Sequence, residues 1–145
     1  MAKMNETITA VSKGMKTKGV SHDHQMVIDE PANMGGTDEG ANPLATLLTS
    51  LAGCENVIAN FVAKEIDFDL QGIDFEINGE LDPRGMMGEG GIRPYFQKVT
   101  VEANVHTSES EERIQKLQEI VDQRCPVFTT LEAADVEMIP KWVKA

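Results

Sequence analysis

The chain has 145 residues, of which 41% are apolar and 26% charged, enough to build a core in one domain spanning residues 1–145. A net charge of −11 opposes phosphate backbones and anionic bilayers, so neither nucleic acid nor a membrane is expected as a partner. No basic segment leads into an apolar stretch at the start, and no uninterrupted apolar run reaches the ~18 residues of a span, so the expected compartment is the cytoplasm.

In chain order, "ETITAVSKGMKTKGVSHDHQMVIDEP" reads as short strands separated by glycine and polar turns. The glycine-rich stretch "ANMGGTDEGANP" follows. It has neither GxGxxG nor GK[ST] and is read as a flexible connection to a helix. Asn42 suits the N-cap and Pro43 the first helical position, because proline lacks an N–H that the helix start would leave unpaired. Leu44, Leu47, Leu48, Leu51, Cys54, Ile58, Phe61 and Val62 then recur at three- and four-residue steps. Only Glu55, Lys64 and Glu65 are charged there, so this helix is expected to be covered on more than one side.

Two alternating strands come next, with Ile73, Phe75 and Ile77 on one face of the first and Val99, Val101, Ala103 and Val105 on one face of the second. Between them, "DPRGMMGEGGIRPYF" is long enough to be a binding element or lid. Ser108 with Glu111 fits a capping box for a second helix through Ile114, Leu117, Ile120 and Val121. Pro126 ends that helix at Cys125; a short helix through "TTLEAA" and a last strand "VEMIP" close the chain. The pattern implies an α+β fold with an antiparallel sheet.

The candidate chemistry centres on the two cysteines, Cys54 and Cys125. They lack the spacing of a zinc ribbon or a CxxC motif and are either structural thiols or a transient redox pair. Helical projection puts Cys54 on the apolar stripe and Glu55 in line with Leu51 and Val62. A carboxylate there is costly without a partner, so Glu55 either reaches solvent at a rim or accepts hydrogen bonds from an arginine beside the thiol. His22, His24 and His106 are not spaced to complete a metal site, and no GxSxG elbow marks a hydrolase.

"DEPANMGGTDEGANPLATLLTSLAGCENV", "DPRGMMGEGGIRPYF" and "DQRCPVFTTL" followed by "VEMIPKW" together resemble the OsmC/Ohr family of thiol-dependent hydroperoxide reductases. The resemblance runs from about Asp29 to Trp142. It implies an intertwined homodimer with long central helices between curved antiparallel sheets. It also implies that Cys54 attacks an organic hydroperoxide and that Cys125 resolves the sulfenic acid into a disulfide. An external dithiol would then reduce that disulfide, with no metal, flavin or haem. The family's glutamate after Asn-Pro is replaced here by Leu44, and no arginine lies between Met1 and Met34. The expected substitute is a pair between Glu55 and Arg84 or Arg93. The alternative is a non-catalytic relative that binds a small apolar ligand at the dimer interface.

Overall fold

A computed structural model describes Ala2–Ala145. Its Cα packing forms two compact units, one ending at Leu47 and the other spanning Leu48–Ala145. In the first, β1 (Thr9–Lys13), β2 (Lys16–Ser21) and β3 (His24–Ile28) form an antiparallel sheet in that order. Tight turns set the register. Gly14 has φ 60° between β1 and β2, and His22 takes φ 55° between β2 and β3, so the HxH pair straddles a turn.

The glycine-rich stretch is not a loose connection. A 3₁₀ turn spans Ala32–Met34, and the surrounding loop wraps the buried Asp29 carboxylate. That carboxylate accepts from Glu30 N at 2.8 Å, Thr37 Oγ1 at 2.8 Å and Glu39 N at 3.1 Å. Burial alone would raise its pKa, but these donors hold it down to about 2. Gly36 is required by close approach: a Cβ there would lie 1.9 Å from the Glu30 carbonyl oxygen. A carboxylate upstream of the glycine pair, Asp29, organises the loop, a non-local device that loop composition does not reveal.

Helix α1 (Pro43–Glu65) begins as its sequence requires, the Asn42 side chain accepting from Ala45 N at 2.7 Å. Its length and composition alone would suit a membrane span. Within the second unit, however, Leu51, Ala59, Val62 and Ala63 are buried in the protein core. The remaining elements are β4 (Gly72–Glu80), the one-turn α2 (Pro83–Met86), β5 (Lys98–His106), α3 (Glu111–Arg124), α4 (Pro126–Ala133) and β6 (Glu137–Lys144).

The second sheet has the order β4–β5–β6. β4 and β5 are antiparallel, with Phe75 opposite Ala103 and Ile77 opposite Val101. β6 departs from the all-antiparallel expectation by pairing parallel to β5. It is fed through α3 and α4, a crossover long enough to return the chain in its original direction. Pro140 in β6 removes one backbone donor, which a strand paired on one side tolerates. One buried cluster joins Ala59 and Val62 of α1, Val105 of β5, Leu117 of α3 and Trp142 of β6. Another joins Leu51, Val99, Val101, Cys125, Phe128 and Leu131.

Helix α3 starts at Ser110, two residues after the expected cap. Ser110 Oγ accepts from Arg113 N at 3.2 Å, whereas Ser108 Oγ donates to Asp69 Oδ2 at 2.6 Å. Both serines bond, but Asp69 recruits Ser108 into the preceding turn. Glu111 is thereby the first helical residue, and its Oε1 accepts from Lys144 N at 3.1 Å.

A buried acid between two thiols

Cys54 and Glu55 lie near the middle of α1. Cys54 is half-buried, packed at the edge of the cluster that contains Leu51, Val101 and Phe128. Glu55 is fully buried, on the same side as Leu51, Ala59 and Val62. This is the apolar arc on which helical projection places it.

Cys125 occupies the junction between α3 and α4. It is the last cap of one helix and the first cap of the next, with φ −73° and ψ 115°. Pro126 enforces this by disfavouring helical geometry in the residue before it and then opening α4 as its first residue. Phe128 N donates to Cys125 Sγ at 3.4 Å. The bend carries Cys125 back to α1, so that its thiol neighbours both Cys54 and Glu55. Both cysteines are free thiols. The spacing of 71 positions hides a juxtaposition that the Cys-Pro bend creates.

Burial, and then the Cys54 side chain beside it, push the Cys125 thiol up to about 12, against the opposing effect of the Phe128 N–H. Cys125 is therefore a protonated, enclosed thiol near neutral pH. Cys54 is the more accessible of the two.

The partner of Glu55 is a second acid. Asp122, one turn before Cys125 on α3, faces it. Burial first, and then Asp122, raise the Glu55 carboxyl to about 9; burial raises Asp122 as well. Neither Glu55 oxygen completes a hydrogen bond of good geometry, and Asp122 Oδ1 is likewise buried without one. Asp122 Oδ2 accepts only a long bond from Gln118 Nε2 at 3.4 Å. The pair is thus a proton-holding couple and no ion pair. Sequence reasoning missed Asp122, whose one signal is its place three residues before Cys125.

The expected pair between Glu55 and Arg84 or Arg93 is not formed. Arg84 is bound within its own turn, Nε and Nη2 reaching both oxygens of Asp82, with Glu89 at 3.5 Å. Asp82 also caps α2 through Arg84 N, so the local pair is preorganised and needs no long-range ordering. Arg93 donates through Nη2 to the carbonyl oxygens of Phe96 at 2.9 Å and Asp135 at 3.3 Å, and stacks on Tyr95 at 4.5 Å. Both arginines serve the long loop. None of the groups that shift Glu55 is a cation.

The family model of OsmC-like proteins matches residues 36–139. The chain belongs to the OsmC-like family. Two relatives of this OsmC-like chain are named hydroperoxide reductase. The one from Mycoplasma pneumoniae is 29% identical over 126 residues, covering 86% of this chain and 85% of the relative. The one from Mycoplasma genitalium is 30% identical over 125 residues, covering 86% and 84%. Among solved structures, an OsmC-like protein from Mycoplasma pneumoniae matches with a TM-score of 0.82 at 23% identity, covering 99% of each chain. That likeness establishes the fold.

Proposed function

We propose that this OsmC-like chain reduces organic hydroperoxides through a Cys54–Cys125 disulfide cycle. The observation that carries the reading is the meeting of the two free thiols, one accessible and one enclosed, at the Cys-Pro bend. Two relatives named hydroperoxide reductase support it.

The Cys54 thiolate attacks the distal peroxide oxygen and the O–O bond breaks. The departing alkoxide takes a proton and leaves as alcohol, with Cys54 oxidised to sulfenic acid. The Cys125 sulfur then attacks the Cys54 sulfur and the S–O bond breaks. Water leaves and the disulfide remains. An external dithiol returns both thiols to the reduced state and is itself oxidised to its disulfide. No metal or organic cofactor takes part in this sequence.

Cys54 reaches the surface beside Leu48 and Ile58, on a helix that also exposes Val57 and Phe61. Such surroundings favour a peroxide with an alkyl tail over hydrogen peroxide, because the tail offers apolar area to bury. A second copy of the chain covering the exposed side of α1 is part of the proposal, and the cytoplasm is the compartment in which its dithiol reductant would be found.

The test is consumption of cumene hydroperoxide in the presence of dithiothreitol. Wild type is expected to turn over many equivalents, Cys54→Ser none, and hydrogen peroxide to react more slowly. Turnover that survives Cys54→Ser contradicts the proposal. A wild type that consumes no peroxide would leave the fold as a non-catalytic binder of a small apolar ligand, the alternative that Leu44 in place of the family's glutamate after Asn-Pro favours.

A further inference from the structure

The resolving step raises a difficulty that the peroxide step does not. Cys125 must attack as a thiolate, yet its thiol is wholly buried and is held protonated by that burial. It needs a base that is itself enclosed and within reach.

We propose that Glu55 is the general base for Cys125, with the buried Asp122 carboxyl as its neighbour on α3. This rests on the disulfide cycle proposed above and goes beyond it by assigning the proton transfer. Three observations support it. The Glu55 carboxyl is fully enclosed, and both its oxygens lack a completed hydrogen bond, so they are available as acceptors. It neighbours the Cys125 thiol directly, on an element separate from the one that carries Cys125. Asp122, with a buried oxygen of its own that lacks a partner, also acts on Glu55.

The groups acting on Glu55 from each packed element are Cys54 on α1, Asp122 on α3 and Cys125 at the α3–α4 junction. Glu132 on α4 acts in turn on Asp122, and Gln118 on α3 donates to it.

The proton is conserved through the step. Ionised Glu55 takes the proton from Cys125 Sγ, and the sulfur attacks Cys54 of the sulfenic acid. The S–O bond breaks, and the departing hydroxide takes the proton back from Glu55 as water forms. Cys54 sulfur is reduced and Cys125 sulfur oxidised as the disulfide closes. Glu55 ends as it began. Asp122 favours the protonated form of Glu55, so its presence moves the onset of closure to higher pH.

Closure can be read without peroxide. Dithiodipyridine reacts at Cys54 to release one thiopyridone and leave a mixed disulfide; attack by Cys125 releases the second. Stopped-flow absorbance resolves the two releases, and Cys125→Ser fixes the amplitude of the first. In wild type the second release should quicken with rising pH until Glu55 is ionised. Glu55→Gln should slow it by about 100-fold relative to the first release measured in the same variant, and flatten its pH dependence. Glu55→Asp, which keeps a carboxyl, should recover part of the rate. Asp122→Asn should move the inflection to lower pH, with an unchanged denaturant midpoint separating loss of the carboxyl from loosened packing.

A second release in Glu55→Gln with the wild-type rate and pH profile overturns the assignment of the base. If Glu55→Gln does not fold, an inflection unmoved in Asp122→Asn overturns the proposal instead. A chain that closes in this Glu55-dependent way but does not react with hydroperoxide keeps its base and loses the peroxidase reading, so the two failures are distinguishable.

Discussion

Glu55 and Cys125 are unusual for the same reason: each is an ionisable group that the fold encloses, and burial is the largest cause of its raised pKa. For Glu55 the consequence for stability has a definite sign. Its folded pKa lies above the ordinary value of 4.5, at about 9, so its favourable contribution is complete below 4.5 and is lost as the pH rises through about 9. Asp122, raised in the same direction, adds to the same trend. Denaturant midpoints should therefore fall between those limits, and Glu55→Gln should flatten the decline. An equally steep decline in Glu55→Gln would show that other groups drive it. For the thiols, the difference in exposure predicts the order of alkylation. In reduced protein at neutral pH, iodoacetamide should label Cys54 well before Cys125, as followed by peptide mass. Faster labelling of Cys125 would contradict the roles assigned to the pair.

At the scale of elements, what the sequence made legible was local. Asn42 and Pro43 start α1 because the cap chemistry involves residues three positions apart, and Pro126 ends α3 because the ring acts on its immediate neighbours. The boundary of α3 was misplaced where two serines compete and a distant carboxylate, Asp69, decides between them. The same reason hid the parallel pairing of β6 and the ordering of the glycine-rich loop around Asp29. At the site, the position of Glu55 followed from helical period, whereas its partner did not, since Asp122 comes from another helix and Arg84 found a nearer acid in Asp82. The cap assignment has a direct check. Ser110→Ala removes the acceptor for Arg113 N and should lower stability by about 1 kcal/mol in urea denaturation. An unchanged midpoint would mean that the first turn of α3 is held by other contacts.

At the scale of the molecule, α1 leaves apolar side chains exposed along its length, with Val57 at 49% and Phe61 at 54% relative exposure. A chain with a net charge of −11 repels its own copies at long range, so association must come from contact on such a face. Sedimentation or light scattering should give twice the chain mass of 15.9 kDa, and Phe61→Glu should shift it toward one chain. A wild-type monomer would contradict the covering of α1 by a second copy.

The central claim is that Cys54 and Cys125 act as one redox unit. The most direct measurement is peptide mapping after reduced protein is briefly exposed to one equivalent of cumene hydroperoxide and then alkylated. The account predicts an intramolecular Cys54–Cys125 disulfide, with Cys125→Ser stopping at an oxidised Cys54. Two thiols that remain reduced while an authentic peroxidase consumes the same reagent would contradict it.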